Sequence, residues 1–415
     1  MKKWMKMLTV FALAICAVML VNVQSAKASI KSTNGLWDIN ADYFENTCEI
    51  VDYYGDDKDL VIPSKVDGLK VTKVNFHYCS QSVRDLVETV TLPNTVTEIY
   101  SSGFLNWYKM KSIKLSEKLE TIGDNAFARC SALRSITIPE SVTKMSYRIF
   151  SDCTSLKKAV IKGNPTIDEY TFNNCTSLTE VSMPKLTVGG RGMFFGCTSL
   201  KKVSAPKIEK IGNQMFFGCT SLKTFKTNKV LRAIGNEAFI DTSLETFNMP
   251  SSLTSLGSYA FDKSKMSTII IPTTLTHNTV DIGCSLENAD IICLNPYVYL
   301  EDLSQTYTVY GLKDSYAYES AKNQGIRFVT MKGITSAKVE KKGNASSLSW
   351  KKVSGVKKYT IYRYNWSEKS WQKIATTKTN KYTDKSKLAS TKYKVTYEYE
   401  YKGKTVVGCI EVQLN

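Results

Sequence analysis

Histidine is nearly missing from this chain: 415 residues hold two, His77 and His277, and the eleven cysteines include no C-x-x-C pair. A thiol or serine nucleophile needs a base close by and a group to orient that base. Neither histidine sits beside a glycine-rich turn or an acid in such a pattern, so each reads as a turn or surface residue. The spacing of a zinc site is absent, as are a phosphate loop and a dinucleotide fingerprint. The carboxylate pair Asp56 and Asp57 lies in a Gly-Asp-Asp-Lys turn, the usual place for solvated acids. These absences exclude the familiar catalytic constellations and leave no expected cofactor or metal, so the residues read as those of a binding protein, not an enzyme. With 43% apolar and 22% charged residues, the chain is neither a disordered polyelectrolyte nor a multi-span membrane protein, and its length suits two or three domains.

A long apolar run occurs once. Lys2, Lys3 and Lys6 precede Leu8 to Val23, and Ala26-Lys27-Ala28 has the small-x-small form of a signal-peptidase site. Residues 1–28 are therefore expected to be a signal peptide, and the run is short for an uncleaved anchor. Leu13-Ala14-Ile15-Cys16 places isoleucine before the cysteine, which argues against a lipid anchor. The expected mature protein has no transmembrane span and is secreted or at the cell surface, extracellular. Its charge is uneven. Residues 334–415 hold 18 basic and 6 acidic residues, a net +12 within a whole-chain +17, whereas residues 29–333 carry 33 and 32. This shift marks a domain boundary.

A short period organises the middle of the chain. Phenylalanine recurs at positions 104, 127, 150, 172, 194, 216, 239 and 261, always 22 or 23 residues apart, and Met110, Leu133, Leu156, Leu178, Leu200, Leu222, Leu244 and Met266 keep the same beat. Each of these opens a strand pattern such as Leu133-x-x-Ile136-x-Ile138-Pro139. Residues two apart in a strand share a face, so Val181 and Met183 point inward while Glu180 and Ser182 point out, and proline closes the strand. One unit cannot bury its apolar side alone. Stacking eight or nine, with parallel strands about 4.8 Å apart, yields a coil about 40 Å long.

Ile122-Gly123-Asp124-Asn125-Ala126-Phe127-Ala128-Arg129-Cys130 and Gly196-Cys197-Thr198-Ser199-Leu200 resemble the BspA-like leucine-rich repeat proteins, a bacterial surface family. The resemblance covers roughly residues 48–330. It implies a leucine-rich-repeat solenoid with a parallel strand per coil and a short helical or irregular second half. It also implies attachment to host matrix or other bacteria. The expected domains are an N-terminal cap at 29–84, repeats at 85–279 and a C-terminal cap at 280–332. That last cap loses the period but contains a helix-like Gly311–Ala321 and a strand-like Ile326–Val329. The repeat near Pro165 has no proline after its strand and no Ile-Gly pair, so an irregular coil is expected there.

Cys130, Cys153, Cys175, Cys197 and Cys219 share one repeat position. Export invites a disulfide reading, but five cannot pair completely, and side chains on neighbouring coils run parallel. Thr242 takes the next place in the series. Free buried thiols acting as small hydrophobes fit better.

The outward strand positions, with the residue after each leucine, gather Lys111, Lys114, Arg134, Lys157, Lys158, Lys201, Lys202, Lys223 and Lys226 on one face. Lysines also keep strands soluble, yet such a face is where coil-shaped proteins hold partners. An extracellular protein or anionic glycan is the expected ligand.

From Ile334 the pattern becomes alternating strands, an all-β sandwich. Leu348-Ser349-Trp350, Tyr359-Thr360-Ile361-Tyr362-Arg363 and Thr391-Lys392-Tyr393-Lys394-Val395 resemble a fibronectin type III domain, which assigns Trp350 to the core and 333–415 to this domain. Trp366 and Trp371 bracket a turn, where they could stack on sugars or pack on a neighbouring strand. The net +12 could hold this domain to an anionic cell-wall polymer. Export makes nucleic acid a poor partner.

Overall fold

The computed structural model describes residues 29–275, 279–283, 285–286, 288–386 and 392–414. The expected signal peptide, Cys16, His277 and Cys284 lie outside the described residues. No described helix is long and apolar enough to cross a membrane.

The repeats wind into a parallel-strand β-solenoid of about 13 turns. Two strand rows run along it. The first holds the leucine-led strands: Asp59–Val61, Thr89–Thr91 and Ser112–Lys114 pair in parallel, then Ser135–Ile138, Lys158–Ile161, Glu180–Ser182 and Lys202–Ser204. The second half of each coil, expected as short helix or irregular chain, is mostly turns, and it adds a second row that was not expected, a parallel ladder of two-residue strands. Leu69–Val74 leads to Glu98–Ile99, Thr121–Ile122, Lys144–Met145 and Thr166–Ile167. Turns fill the rest of each coil, because residues two before and two after each ring are left-handed, as at Asn125 and Arg129 around Phe127.

The Ile-Gly pair is explained by how closely coils approach. A Cβ on Gly123 would stand 2.4 Å from the Ser101 nitrogen, and one on Gly235 2.5 Å from that of Asn213. Real Cβ atoms do not come that near backbone, so these two positions are restricted to glycine.

The eight phenylalanines form one column. Successive rings from Phe104 to Phe261 lie 5.1–5.5 Å apart and within 14° of parallel. All are at most 1% exposed, and deleting one such ring costs about 3–5 kcal/mol. Phe76 and Trp107 close the column at its N-terminal end with tilted and edge contacts to Phe104. A single continuous core runs from Trp37 to Ile326.

The coil at Pro165 is regular in the first row, contrary to the expectation: Lys158–Ile161 pairs along its full length with Ser135–Ile138. The lapse falls in the second row, after Thr166–Ile167, where the Asn164 side-chain oxygen accepts from the Thr187 N–H at 3.0 Å in place of a backbone partner. The first row also continues past residue 280. Thr268–Ile271, Asp290–Cys293, Thr308–Gly311 and Arg327–Thr330 pair in parallel, with the helix Tyr316–Asn323 packed before the last of them. Its N-cap Ser315 accepts from the Tyr318 N–H, satisfying a first-turn donor.

Two antiparallel sheets follow. One contains Ala337–Lys342, Ala345–Trp350 and Lys381–Asp384. The other contains Ser370–Thr377, Tyr359–Asn365, Lys392–Tyr401 and Lys404–Gln413. Leu348, Trp350, Tyr359, Ile361, Tyr393 and Tyr397 share their core.

This C-terminal unit is docked on the solenoid. Ile292, Leu294, Tyr310, Leu312 and Met331 form a buried cluster with Val406, and Ile270, Val329, Tyr399 and Tyr401 pack against it. Tyr297 Oη donates to the Glu411 carbonyl and accepts from the Glu411 N–H. Lys402 pairs with Asp290 at 3.1 Å and lies over the Tyr310 ring.

Candidate functional site

Outward positions of the first strand row make a polar face along the middle coils. Lys114, Arg134, Lys157, Lys158, Lys201, Lys202, Lys223 and Lys226 are exposed on it, and Lys111 is half-buried. Register places Lys158, Glu180 and Lys202 side by side on three successive strands. Glu180 thus bridges both lysines, at 3.7 Å and 2.8 Å, and Lys202 with Lys158 holds its carboxyl below the usual range. Lys111 pairs with Glu88 at 2.6 Å and Lys223 with Glu245 at 3.7 Å. The face is therefore less cationic than a count of its lysines implies. Among the described residues, Lys114, Arg134, Lys157, Lys201 and Lys226 have no ion pair.

Between Ser204 and Thr268 the pairing of this row is reduced to one bridge, Thr224 to Thr246. Phe225 and Phe247 explain the lapse: they fill the inward place that Ile136, Ala159 and Val181 hold in earlier coils. Their rings stack at 6.0 Å, and larger inward groups push the strands out of ladder geometry. A groove of about 440 Å³ opens there, lined by Lys201, Lys202 and Lys226 together with Ser204, Thr224 and Asn228.

Further along, the outward positions change character. Ile270, Ile292, Tyr310 and Val329 are apolar and meet the C-terminal sheets. This covered end of the face went unread in the sequence, although Thr268-Ile269-Ile270-Ile271 and Asp290-Ile291-Ile292-Cys293 lose their alternation, the mark of strands buried on both faces.

The cysteine series is interior. All nine described cysteines are free and buried. Each thiol of the five donates to the phenylalanine carbonyl of the preceding coil, from Cys130 to Phe104 at 3.1 Å through Cys219 to Phe194 at 3.2 Å. Burial pushes them all above the usual thiol value of 9.0. These are not nucleophiles at neutral pH. Thr242 fills the next place and donates instead to Phe239 of its own coil at 2.9 Å.

His77 is exposed with its ring edge-on to Tyr78. Asp57 accepts a hydrogen bond from Tyr53 Oη. No group of three potential metal ligands occurs among the described residues.

The two tryptophans of the C-terminal turn differ. Trp366 is 58% exposed, whereas Trp371 is half-buried, edge-on to Tyr364 at 5.1 Å and covered by Lys394 Nζ at 4.5 Å. Lys394 and Lys392 both pair with the buried Glu411 carboxylate. Trp350 is in the core, as its strand position implied.

Coils that repeat a leucine-led strand, an Ile-Gly contact and a stacked phenylalanine define a leucine-rich-repeat solenoid. The chain belongs to the BspA type leucine rich repeat family, which matches residues 70–201 and 187–293, together more than half of it. The family is typically non-catalytic, and its repeats carry a binding role. Among solved structures, a T. pallidum leucine rich repeat protein is 25% identical over 49% of this chain and 99% of its own, with a TM-score of 0.41. A leucine-rich repeat protein from Bacteroides ovatus is 24% identical over 66% and 70%, with a TM-score of 0.47. A leucine rich cell surface protein from Faecalibacterium prausnitzii is 18% identical over 68% and 78%, with a TM-score of 0.37. No curated protein matches the chain.

Proposed function

We propose that this is an exported, cell-surface-associated binding protein of adhesin type, without catalytic activity, that holds an extracellular protein or an anionic glycan on the outward face of its solenoid. The observation that carries the reading is the groove at the strand lapse, where the unpaired Lys201 and Lys226 flank hydroxyl and amide groups. In this reading residues 1–28 are a signal peptide, 29–84 and 280–332 cap the repeats of 85–279, and 333–415 form a fibronectin type III-like sandwich. Trp366 offers a secondary aromatic contact, and Trp371 packs edge-on against the same Tyr364 ring.

The test is capture of matrix proteins and glycans from an array by the purified chain. K201E/K226E should abolish capture. Unchanged capture by that variant would sink the reading.

A second reading is favoured by the Lys158–Glu180–Lys202 row, which neutralises part of the face. Here the protein is a structural component of the envelope, retained on an anionic wall polymer by its basic C-terminal unit. Salt-washing intact cells would release it.

A further inference from the structure

Another cavity lies away from the repeat-face groove. A cleft of about 1100 Å³ lies where the last solenoid strand meets the C-terminal sheets, walled by Val329 to Lys332 on one side and by residues of the sheets on the other. Four exposed lysines line it: Lys332, Lys357, Lys358 and Lys378. Lys358 is paired with Glu398 at 3.6 Å, and the remaining three have no ion pair among the described residues. Tyr399 and Tyr401 also line the cleft. Both are pinned. Tyr399 Oη donates to the Lys332 carbonyl at 3.1 Å, and Tyr401 packs on Tyr310 with ring centroids 5.7 Å apart. Both contacts cross the junction between the two units, so the cleft exists only while they are docked.

We propose that this cleft binds a linear anionic polysaccharide, a chain of sugars bearing carboxylates or sulfates. Three unpaired ammonium groups supply charge complementarity. Tyrosine rings offer an amphipathic surface to the apolar C–H faces of a sugar ring. Glu398 and Glu400, with the hydroxyl-bearing Ser354 and Thr330, supply acceptors for sugar hydroxyls. An acidic peptide would bring its carboxylates against those two glutamates without side-chain donors to satisfy them. The proposal deepens the retention reading by giving the anionic polymer a built site in place of diffuse attraction.

The test uses the purified chain, titrated calorimetrically with polygalacturonate oligomers and, separately, with polyglutamate. K357E/K378E removes two cleft ammoniums and should weaken polygalacturonate binding about tenfold, the equivalent of losing two charge-assisted contacts. K341E/K342E makes the same change in net charge on the strand Ala337–Lys342, away from the cleft, and should stay within about twofold. Equal losses in the two variants, polyglutamate bound as tightly as polygalacturonate, or no binding at all would each overturn the site. Release of the protein from cells by salt is read independently, so a failed site and a failed retention reading are distinguishable.

Discussion

The Sγ of Cys153 donates to the carbonyl oxygen of Phe127, one coil back, at 3.1 Å. The same bond recurs from Cys130 to Cys219, so a line of thiols runs beside the column of rings and ties each coil to the one before it. Burial keeps these thiols protonated in the folded chain well past the ordinary thiol value of 9.0. Below that pH the thiol is neutral in both states and stability is fully present. Above it the unfolded chain ionises while the folded one does not, so each thiol removes about 1.4 kcal/mol of stability per pH unit. Urea midpoints should therefore fall steeply from pH 9 to pH 10, and C153S/C175S should fall less steeply. Parallel slopes for the two proteins would contradict this account.

Gly235 is held against the preceding coil, at Asn213, by contact and not by an unusual φ. Gly235→Ala should cost about 1–3 kcal/mol through overpacking, measured by urea unfolding. Gly343, whose Cβ would meet nothing within 4 Å, is the comparison for space, although its φ of +59° adds backbone strain of its own. A smaller loss at Gly235 than at Gly343 would show that the coils can part to make room.

Tyr297 anchors the docked unit by exchanging two hydrogen bonds with the backbone of Glu411. Tyr297→Phe strips the partner from that N–H and carbonyl and should destabilise docking by about 1–3 kcal/mol. Limited proteolysis reads this directly. Cleavage near residues 331–334 should accelerate, while cleavage within the repeats should not.

Glu411 also neutralises Lys394, whose side chain is only 6% exposed. Glu411→Gln leaves that ammonium buried beneath Trp371 without its counter-charge, a loss of about 3–5 kcal/mol. Thermal unfolding of the full chain should show the C-terminal sheets melting earlier, with the repeat transition unmoved.

Much of the solenoid was legible because its determinants are periodic. The phenylalanine beat predicts the ring column, and the leucine-led strands fall where Leu133-x-x-Ile136 and its copies place them. The second strand row escaped because two-residue strands such as Thr121–Ile122 are too short to show alternation. The lapse of pairing after Ser204 depends on the volume of Phe225 and Phe247, and apolar periodicity does not distinguish phenylalanine from valine. On the candidate face, the lysines stood out individually. Their pairing with Glu180 required a register that only stacking supplies. The docked junction was written in the lost alternation of Thr268–Ile271, yet a strand buried by a second unit reads no differently from one deep in a core.

Trp107 blocks one end of the ring column, and the apolar stretch from Ile270 to Val329 is committed to the unit that sits on it. Growth or shrinkage of the protein by gain or loss of whole coils is therefore confined to the interior, between Phe104 and Phe247. Each added unit would lengthen the open surface by one rung, carrying the junction along intact.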